Sequence, residues 1–241
     1  MTLPFPDVYS LAEPRMNATT TPTPTTAPMG VVILPVTPFQ QNCSLVWCTR
    51  TLQAALVDPG GEVDSLLAEV AKRGLTLQKV LLTHGHLDHC AGTAAVRART
   101  GVPVEGPQRE DDFWIQQLPE NARSYGFPPA EVFTPDRWLE DGETVTVGDL
   151  VLDVVHCPGH TPGHVVFIHA PSRAAFVGDV LFAGSIGRTD FPRGNHADLL
   201  ASIRGKLFPL GDDIRFVPGH GPTSSFGAER RSNPYVGANA R

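Results

Sequence analysis

The sequence predicts a layered α/β fold, in which two β-sheets pack face to face and helices cover their outer sides. Short apolar runs rich in valine and leucine, typical of buried strands, recur in both halves of the 241-residue chain. In each half, one such run leads into a polar loop and then into a helical pattern. The hydrophobic content of 41% is that of an ordinary globular protein, and the chain is long enough to bury a core.

The first half predicts five strands and two helices. Apolar runs predict strands over 31–36, 42–47, 54–58, 80–82 and 102–104, and helices over 63–71 and 88–101. Residues 108–118 predict an amphipathic helix or a lid, and we assign Phe113 and Trp114 to core packing rather than to a pocket mouth. Three prolines make 121–137 a predicted loop.

The second half shows the same order of elements. Apolar runs predict strands over 144–147, 150–155, 165–168, 174–177 and 214–217, with a helix over 198–207. Because both halves place several strands before a strand, a polar loop and a helix, we expect two packed sheets with helices outside them.

Residues 1–29 differ from the rest of the chain. They are rich in threonine and proline and cannot bury an apolar face, so we predict a disordered tail followed by a single domain over 30–241. The tail lacks the positively charged start and apolar core of a secretory signal.

Composition excludes several classes of partner. The net charge of -6 and the pI near 5.8 argue against a nucleic acid. No apolar run approaches the roughly 18 to 20 residues of a membrane span, so no membrane partner is expected. Four cysteines without a C-x-x-C pair make no disulfide scaffold in a chain this long, which predicts reduced thiols and a cytoplasmic location.

Residues 83–89 hold the densest chemical signal. Four metal-capable side chains, His84, His86, Asp88 and His89, follow the apolar run 80–82 directly. Imidazole and carboxylate suit zinc, iron or manganese. The loop lies between a strand and a helix, where sites gather in α/β folds. His84 and His86 can converge on one ion while Asp88 and His89 face a second.

Three further polar residues follow predicted strands. His160 follows the strand over 150–155, Asp179 the strand over 174–177, and His220 the strand over 214–217. With the first four they make five histidines and two aspartates. That number is enough for two metal ions and a bridging carboxylate.

This ordered set resembles the metallo-β-lactamase superfamily, over residues 30 to about 235. The resemblance implies a four-layer αββα sandwich. It also implies that His84, His86 and His160 hold one divalent metal, that Asp88, His89 and His220 hold another, and that Asp179 bridges them. Zinc is the expected metal, with iron or manganese as alternatives because such ligands accept all three. Asp88 and Asp179 are the expected catalytic carboxylates.

Further motifs resemble the glyoxalase II group, especially its short bacterial members. They are Gly178-Asp179-Val180-Leu181-Phe182, Gly187-Arg188-Thr189-Asp190-Phe191, Pro218-Gly219-His220-Gly221-Pro222 and Glu229-Arg230-Arg231-x-Asn233-Pro234. The resemblance implies hydrolysis of a thioester such as S-lactoylglutathione to lactate and glutathione, by hydroxide generated at two metals. Larger glyoxalase II enzymes append a helical domain that contacts glutathione, and only about 20 residues follow His220 here. The motifs therefore support hydrolase chemistry more strongly than glutathione recognition.

Two other activities stay open at this point. Persulfide dioxygenases resemble this sequence and use one iron held by residues equivalent to His84, His160 and Asp179. The segment Pro218-Gly219-His220-Gly221-Pro222 favours the hydrolase, because dioxygenases have a different loop there. A lactonase or lactamase would share the metal site, but no motif here points to one. The oligomeric state is left open.

Two residues outside the ligand set have two interpretations each. Asp58, before Pro59-Gly60-Gly61, either orients a ligand histidine or forms a turn. Arg188 either grips a carboxylate or phosphate of the substrate or pairs with Asp190. The remaining histidines, His156, His164, His169 and His196, are expected to be structural.

Overall fold

A computed structural model describes residues 28–240 as a four-layer αββα sandwich, which confirms the predicted fold class. The predicted tail lies outside the described residues except for Pro28 and Met29, and Met29 belongs to the first strand. Within 28–240, no helix has the length and apolar character that crossing a bilayer requires.

Thirteen strands are found in the described residues, and the longer ones agree with the predicted apolar runs. They are β1 Met29–Val36, β2 Gln41–Cys48, β3 Gln53–Val57, β4 Thr76–Leu81, β5 Val104–Glu105, β6 Thr144–Val147, β7 Leu150–His156, β8 Val165–His169, β9 Ala174–Gly178, β10 Leu181–Phe182, β11 Ser185–Ile186, β12 Arg215–Pro218 and β13 Ser224–Ser225.

Seven α-helices accompany the strands in the same region. They are α1 Val63–Lys72, α2 Leu87–Cys90, α3 Thr93–Thr100, α4 Asp112–Gln116, α5 Leu118–Tyr125, α6 His196–Ala201 and α7 Phe226–Ser232. Helix α6 continues into the π-helical stretch Ser202–Leu207.

The strands form two main sheets, one from each half of the chain. The first has the order β1-β2-β3-β4-β5, antiparallel through β3 and parallel from β3 to β5. The second has the order β13-β12-β9-β8-β7-β6, with only the β12–β9 pair parallel. A separate hairpin joins β10 to β11.

Alternating side chains on the strands fill three apolar layers. In β4, Val80 faces the helices of the first half and Leu81 faces the second sheet. In β8, Val166 faces the helices of the second half and Phe167 faces the first sheet. Because successive side chains point to opposite faces, an unbroken apolar run marks a strand covered on both sides.

Two predicted elements differ from the structure. The predicted helix over 88–101 is two helices, because Gly92 lies against Pro59, where a Cβ would come within 2.5 Å of the Pro59 carbonyl oxygen. The predicted loop over 121–137 is wrong in its first part. Helix α5 runs to Tyr125 because Leu118 and Ala122 bury one face of it, and the three prolines of the predicted loop come only after its end.

We expect Phe167→Ala to destabilise the protein by about 3 to 5 kcal/mol, since it opens a cavity between the sheets. Phe167 is fully buried there. The matched control is Val151→Ala, on the 48% exposed outer side of β7, which should cost less than about 1 kcal/mol. Urea unfolding of the metal-free variants measures both, and equal losses would contradict this layer assignment.

Candidate metal centre

The seven predicted ligands lie together at one edge of the sandwich. His84, His86, Asp88 and His89 follow β4, His160 follows β7, Asp179 follows β9, and His220 follows β12. Strand β4 belongs to the first sheet and the other three belong to the second. The centre therefore forms where the two sheets meet, and neither half of the chain can make it alone.

Three buried imidazoles form the first group. His84 Nε2 lies 3.1 Å from His86 Nδ1, and His160 Nε2 lies 3.0 Å from the same atom. All three rings are at most 9% exposed. Three ring nitrogens that converge in this way are a ligand set for a cation such as Zn²⁺.

The second group consists of Asp88, His89 and His220. His220 Nε2 lies 3.1 Å from Asp88 Oδ2, and His89 Nε2 lies 3.8 Å from the same oxygen. Asp179 lies between the groups, with Oδ2 3.5 Å from His160 Nε2 and 3.7 Å from His220 Nε2. Its Oδ1 lies 3.4 Å from His89 Nε2. Asp179 thus lies within 3.4 to 3.7 Å of ring nitrogens from both groups.

Asp58 orients one histidine of each group. Its Oδ2 accepts a hydrogen bond of 2.9 Å from His89 Nδ1 and one of 2.6 Å from Thr83 Oγ1, while Oδ1 accepts from Thr83 N. Because the Thr83 hydroxyl donates to Asp58, it accepts from His84 Nδ1 at 3.0 Å. Both rings therefore carry their proton on Nδ1 and present Nε2 to the centre. Asp58 also has a left-handed φ of 54°, so it turns the chain as well as orienting a ligand.

Main-chain carbonyls orient two more rings. His160 Nδ1 donates to Arg188 O at 2.7 Å, and His220 Nδ1 donates to Phe39 O at 3.1 Å. These bonds again leave Nε2 free to act as a ligand. His86 is the exception, because it presents Nδ1, and its ring lies 4.5 Å edge-on from that of Trp114.

The electrostatics favour neutral histidines in the first group and an ionised Asp179. Burial lowers the pKa of His84 and His86 well below the ordinary value, and neighbouring imidazoles add to this effect. Burial also lowers the pKa of His160. In the second group, burial opposes the charge of His89, but the charges of Asp179 and Asp88 outweigh it and raise the pKa of His89 well above its ordinary value. For Asp179, burial opposes ionisation, but the charge of His89 outweighs it and holds the pKa of the carboxyl well below its usual range.

The residues present fit a pair of divalent cations. The donor atoms of each group lie within 4.8 Å of one another. Among the described residues, His89 Nε2 and Asp179 Oδ1 are buried without a hydrogen-bond partner, although they are strong polar groups. Imidazoles and carboxylates in two groups on either side of Asp179 suit zinc, iron or manganese alike.

A cavity of about 750 Å³ opens above the centre. Its aromatic walls come from the β1–β2 turn, helices α4 and α5, the β10–β11 hairpin and the following loop. These side chains are Phe39, Trp114, Tyr125, Phe182 and Phe191. His86, Asp88, His160, Asp179 and His220 face the same cavity. Trp114 therefore contributes to the pocket as well as being buried, which corrects its assignment to core packing alone.

Arg188 pairs with Asp190, as the second of its two interpretations has it. Its guanidinium forms an exposed fork with Asp190, at 2.6 and 2.5 Å, and lies 4.2 Å from the Phe191 ring centre. It also lines the cavity. Phe113, in contrast, packs beneath the guanidinium of Arg193.

The last helix supports the wall of the cavity. The hairpin residue Gly184 donates its N–H to Glu229 Oε2 at 2.8 Å, and Asn233 Nδ2 donates to Ser185 O at 3.0 Å and to Glu229 at 2.9 Å. Neither the hairpin nor helix α7 is predicted from periodicity, since both are short. The motif Glu229-Arg230-Arg231-x-Asn233-Pro234 is thereby explained as the support of the hairpin.

One histidine expected to be structural lies beside the centre. His164 is fully buried, stacks on His84 at 4.6 Å, and accepts the Asp179 N–H at 3.1 Å. Its position four residues after His160 is the feature of the sequence that could have indicated a place beside the centre. The other three are engaged elsewhere or exposed: His156 bonds Pro162 O, His169 bonds Ser172 Oγ, and His196 faces solvent.

Comparisons with known proteins agree with this geometry. The model of the metallo-beta-lactamase superfamily matches residues 36–220. The hydroxyacylglutathione hydrolase GloC of Haemophilus influenzae is 46% identical over 209 residues, which cover 86% of this chain and 98% of that protein. The BLEG-1 B3 metallo-beta-lactamase structure is 34% identical, with a TM-score of 0.79 over 86% of this chain and 99% of its own. TTHA1623 in a di-iron-bound form is 35% identical, with a TM-score of 0.78 over 86% of this chain and 100% of its own.

The chain belongs to the metallo-beta-lactamase superfamily. The likeness to GloC supports a hydrolase. The His and Asp groups of the structure, together with the superfamily, indicate divalent metals at this edge of the sandwich.

We expect Asp58→Asn to weaken metal binding about 10- to 100-fold. If the amide keeps an oxygen toward Thr83 N, its NH₂ faces His89 Nδ1 and drives the ring proton to Nε2, which then cannot bind a cation. Chelator competition measures the affinity. The control Asp64→Asn removes a carboxylate that is 92% exposed and should bind metal as the unaltered protein does. Unchanged affinity in Asp58→Asn would contradict the orienting role.

Proposed function

We propose that this protein is a dinuclear metal-dependent hydrolase of thioesters that acts on S-lactoylglutathione or a closely related hydroxyacyl thioester. The observation that carries the proposal is the pair of ligand groups sharing Asp179 on the floor of the cavity. The 46% identity to a hydroxyacylglutathione hydrolase over nearly the full length of that protein supports the substrate class.

The geometry supports a role for each proposed ligand. His84, His86 and His160 would hold one cation, Asp88, His89 and His220 the other, and Asp179 both. Such cations supply Lewis acidity, which makes water more acidic and polarises a carbonyl group. Zinc is the expected metal, and iron or manganese would fit the same ligands.

The reaction needs little further help from the chain. Water attacks the carbonyl carbon, the C–S bond breaks, and the sulfur leaves as a thiolate with an ordinary pKa of about 8.5, so no strong general acid is required. Asp88 lies on the cavity wall, 14% exposed at its side chain, where its carboxylate can accept the proton of the attacking water. The aromatic walls hold the acyl and thiol portions and exclude bulk water.

Arg188 is the proposed substrate-binding residue. Within residues 28–240 it is the one lysine or arginine that lines the cavity. Its fork already matches a carboxylate, that of Asp190, at 2.5 to 2.6 Å, and the same geometry suits a carboxylate of a glutathione-derived thioester.

The cysteines agree with a cytoplasmic location. All four, Cys43, Cys48, Cys90 and Cys157, are free and buried, a state maintained in a reducing compartment.

We expect the purified protein to contain about two divalent metals per chain and to hydrolyse S-lactoylglutathione. Prolonged chelation should abolish the activity, and added zinc, iron or manganese should restore it. His86→Ala removes one of the three donors of the first group, so it should lower kcat/KM at least about 100-fold and reduce the metal content. The control His196→Ala changes an exposed histidine outside the centre and should leave both unchanged.

Competing activities are assayed on the same preparation. One iron per chain with oxygen consumption on glutathione persulfide would replace the proposal with a dioxygenase. Hydrolysis of a chromogenic cephalosporin in place of the thioester would favour the lactamase chemistry named for BLEG-1.

We expect Arg188→Ala to raise KM about 10-fold while kcat changes little, because a charge-assisted hydrogen bond to the substrate is lost. Arg188→Lys should recover part of the affinity, since charge remains without the fork. Asp190→Asn is the control, because it breaks the ion pair but keeps the guanidinium. If Asp190→Asn raises KM as much as Arg188→Ala, the ion pair rather than substrate binding explains the effect.

A further inference from the structure

Asp111 is a buried carboxylate outside the predicted ligand set. Its side chain is 0% exposed and accepts three hydrogen bonds, from Gly85 N at 2.8 Å, Thr161 Oγ1 at 2.7 Å and Gly163 N at 2.6 Å. All three donors are uncharged. Burial raises the pKa of Asp111 to about 6, although these hydrogen bonds oppose the rise.

The three donors come from the loops that carry the first ligand group. Gly85 lies between His84 and His86, in the loop after β4 of the first sheet. Thr161 and Gly163 follow His160, in the loop after β7 of the second sheet. One carboxylate therefore ties together two loops that follow strands of different sheets. Along the chain, Gly85 lies 26 residues from Asp111, and Thr161 and Gly163 lie 50 and 52 residues from it.

Glycine is required at both backbone contacts. A Cβ on Gly85 would lie 2.9 Å from Asp111 O and 2.8 Å from Trp114 Cβ. A Cβ on Gly163 would lie 2.8 Å from Asp111 Oδ1 and 2.6 Å from Asp111 N. Real side chains do not tolerate such distances, so the two glycines let the loops close around this carboxylate.

The same segment makes a second contact with the group. Trp114, three residues after Asp111, is 6% exposed and places its ring 4.5 Å from that of His86. A buried carboxylate is costly unless its oxygens are fully hydrogen-bonded, and replacing one oxygen leaves a donor unpaired. Asp111 is therefore suited to fix the positions of the two loops rather than to add net stability to the fold.

We propose that Asp111 is a positioning residue for the His84, His86 and His160 group, and that it sets the metal affinity of that group without setting that of the Asp88, His89 and His220 group. The inference rests on the proposed metal centre. Asp111 acts through Gly85 on the spacing of His84 and His86, and through Thr161 and Gly163 on the approach of His160.

Asp111→Asn tests the proposal. In either orientation of the amide, its NH₂ faces a backbone N–H, of Gly85 or of Gly163, so at least one loop loses its tie. Thr161→Val removes a single hydrogen bond to Asp111 at nearly constant volume, and it replaces Asp111→Asn as the test variant if that variant does not fold. Asp112→Asn is the matched control, since the neighbouring carboxylate bonds only to Gln116 among the hydrogen bonds of the described residues.

Two measurements are made on each variant. The first measurement is the amount of metal bound at equilibrium over a series of chelator concentrations. In Asp111→Asn it should fall from about two to about one metal per chain, because the affinity of the first group is lowered about 10- to 100-fold while that of the second is retained. Thr161→Val should show a smaller loss at the same site. Hydrogen exchange of the metal-free protein should be faster at the amide of Gly85, of Gly163 or of both in Asp111→Asn, and unchanged at both in Asp112→Asn.

The outcomes separate this proposal from the proposed function. Two unaltered affinities, or equal loss of both, would overturn the role of Asp111, as would unchanged exchange at Gly85 and Gly163. If the unaltered protein binds two metals but cleaves no thioester, the proposed substrate fails and Asp111 is still tested by affinity. If it binds no pair of metals, the metal centre fails and the selective affinity claimed for Asp111 fails with it, whatever the exchange shows.

Discussion

The carboxylate of Asp58 is the contact on which the metal centre depends. It accepts from His89 directly and from His84 through the Thr83 hydroxyl, so it fixes the tautomer of one ring in each ligand group. Asp58 can do this because its left-handed turn places it at the end of β3, next to the loop that follows β4. The resulting ring orientations explain why Nε2 of His89 faces Asp179 and Nε2 of His84 faces His86.

The fold supplies what a single loop could not. Strands of two sheets end at the same edge, and each sheet contributes ligands and the bonds that orient them. Main-chain carbonyls of Phe39 and Arg188 hold His220 and His160 from segments that also line the cavity. The same segments thus line the substrate pocket and orient the ligand histidines, so substrate binding is linked to the geometry of the metal ligands.

Local patterns in the sequence were sufficient for the longer strands and for a set of polar residues that the fold brings together. Apolar runs marked strands such as β4 and β8, and polar residues directly after them marked the site. Residues whose partners are distant in the chain were not predictable in this way. Asp111 resembles any helix-start aspartate until Gly85 and Gly163 are seen beside it, and Trp114 resembles a core residue until the cavity is known. The β10–β11 hairpin is too short to show a period, and its support by Glu229 spans 45 residues.

Anomalous X-ray diffraction from crystals of the metal-loaded protein tests the central claim most directly. Data collected on both sides of the absorption edge of the bound metal locate each ion and identify its element. Two peaks are expected, one among His84, His86 and His160 and one among Asp88, His89 and His220, with the Asp179 carboxylate between them. A single peak of iron at His84, His160 and Asp179, at full occupancy in protein supplied with excess metal, would contradict the dinuclear centre.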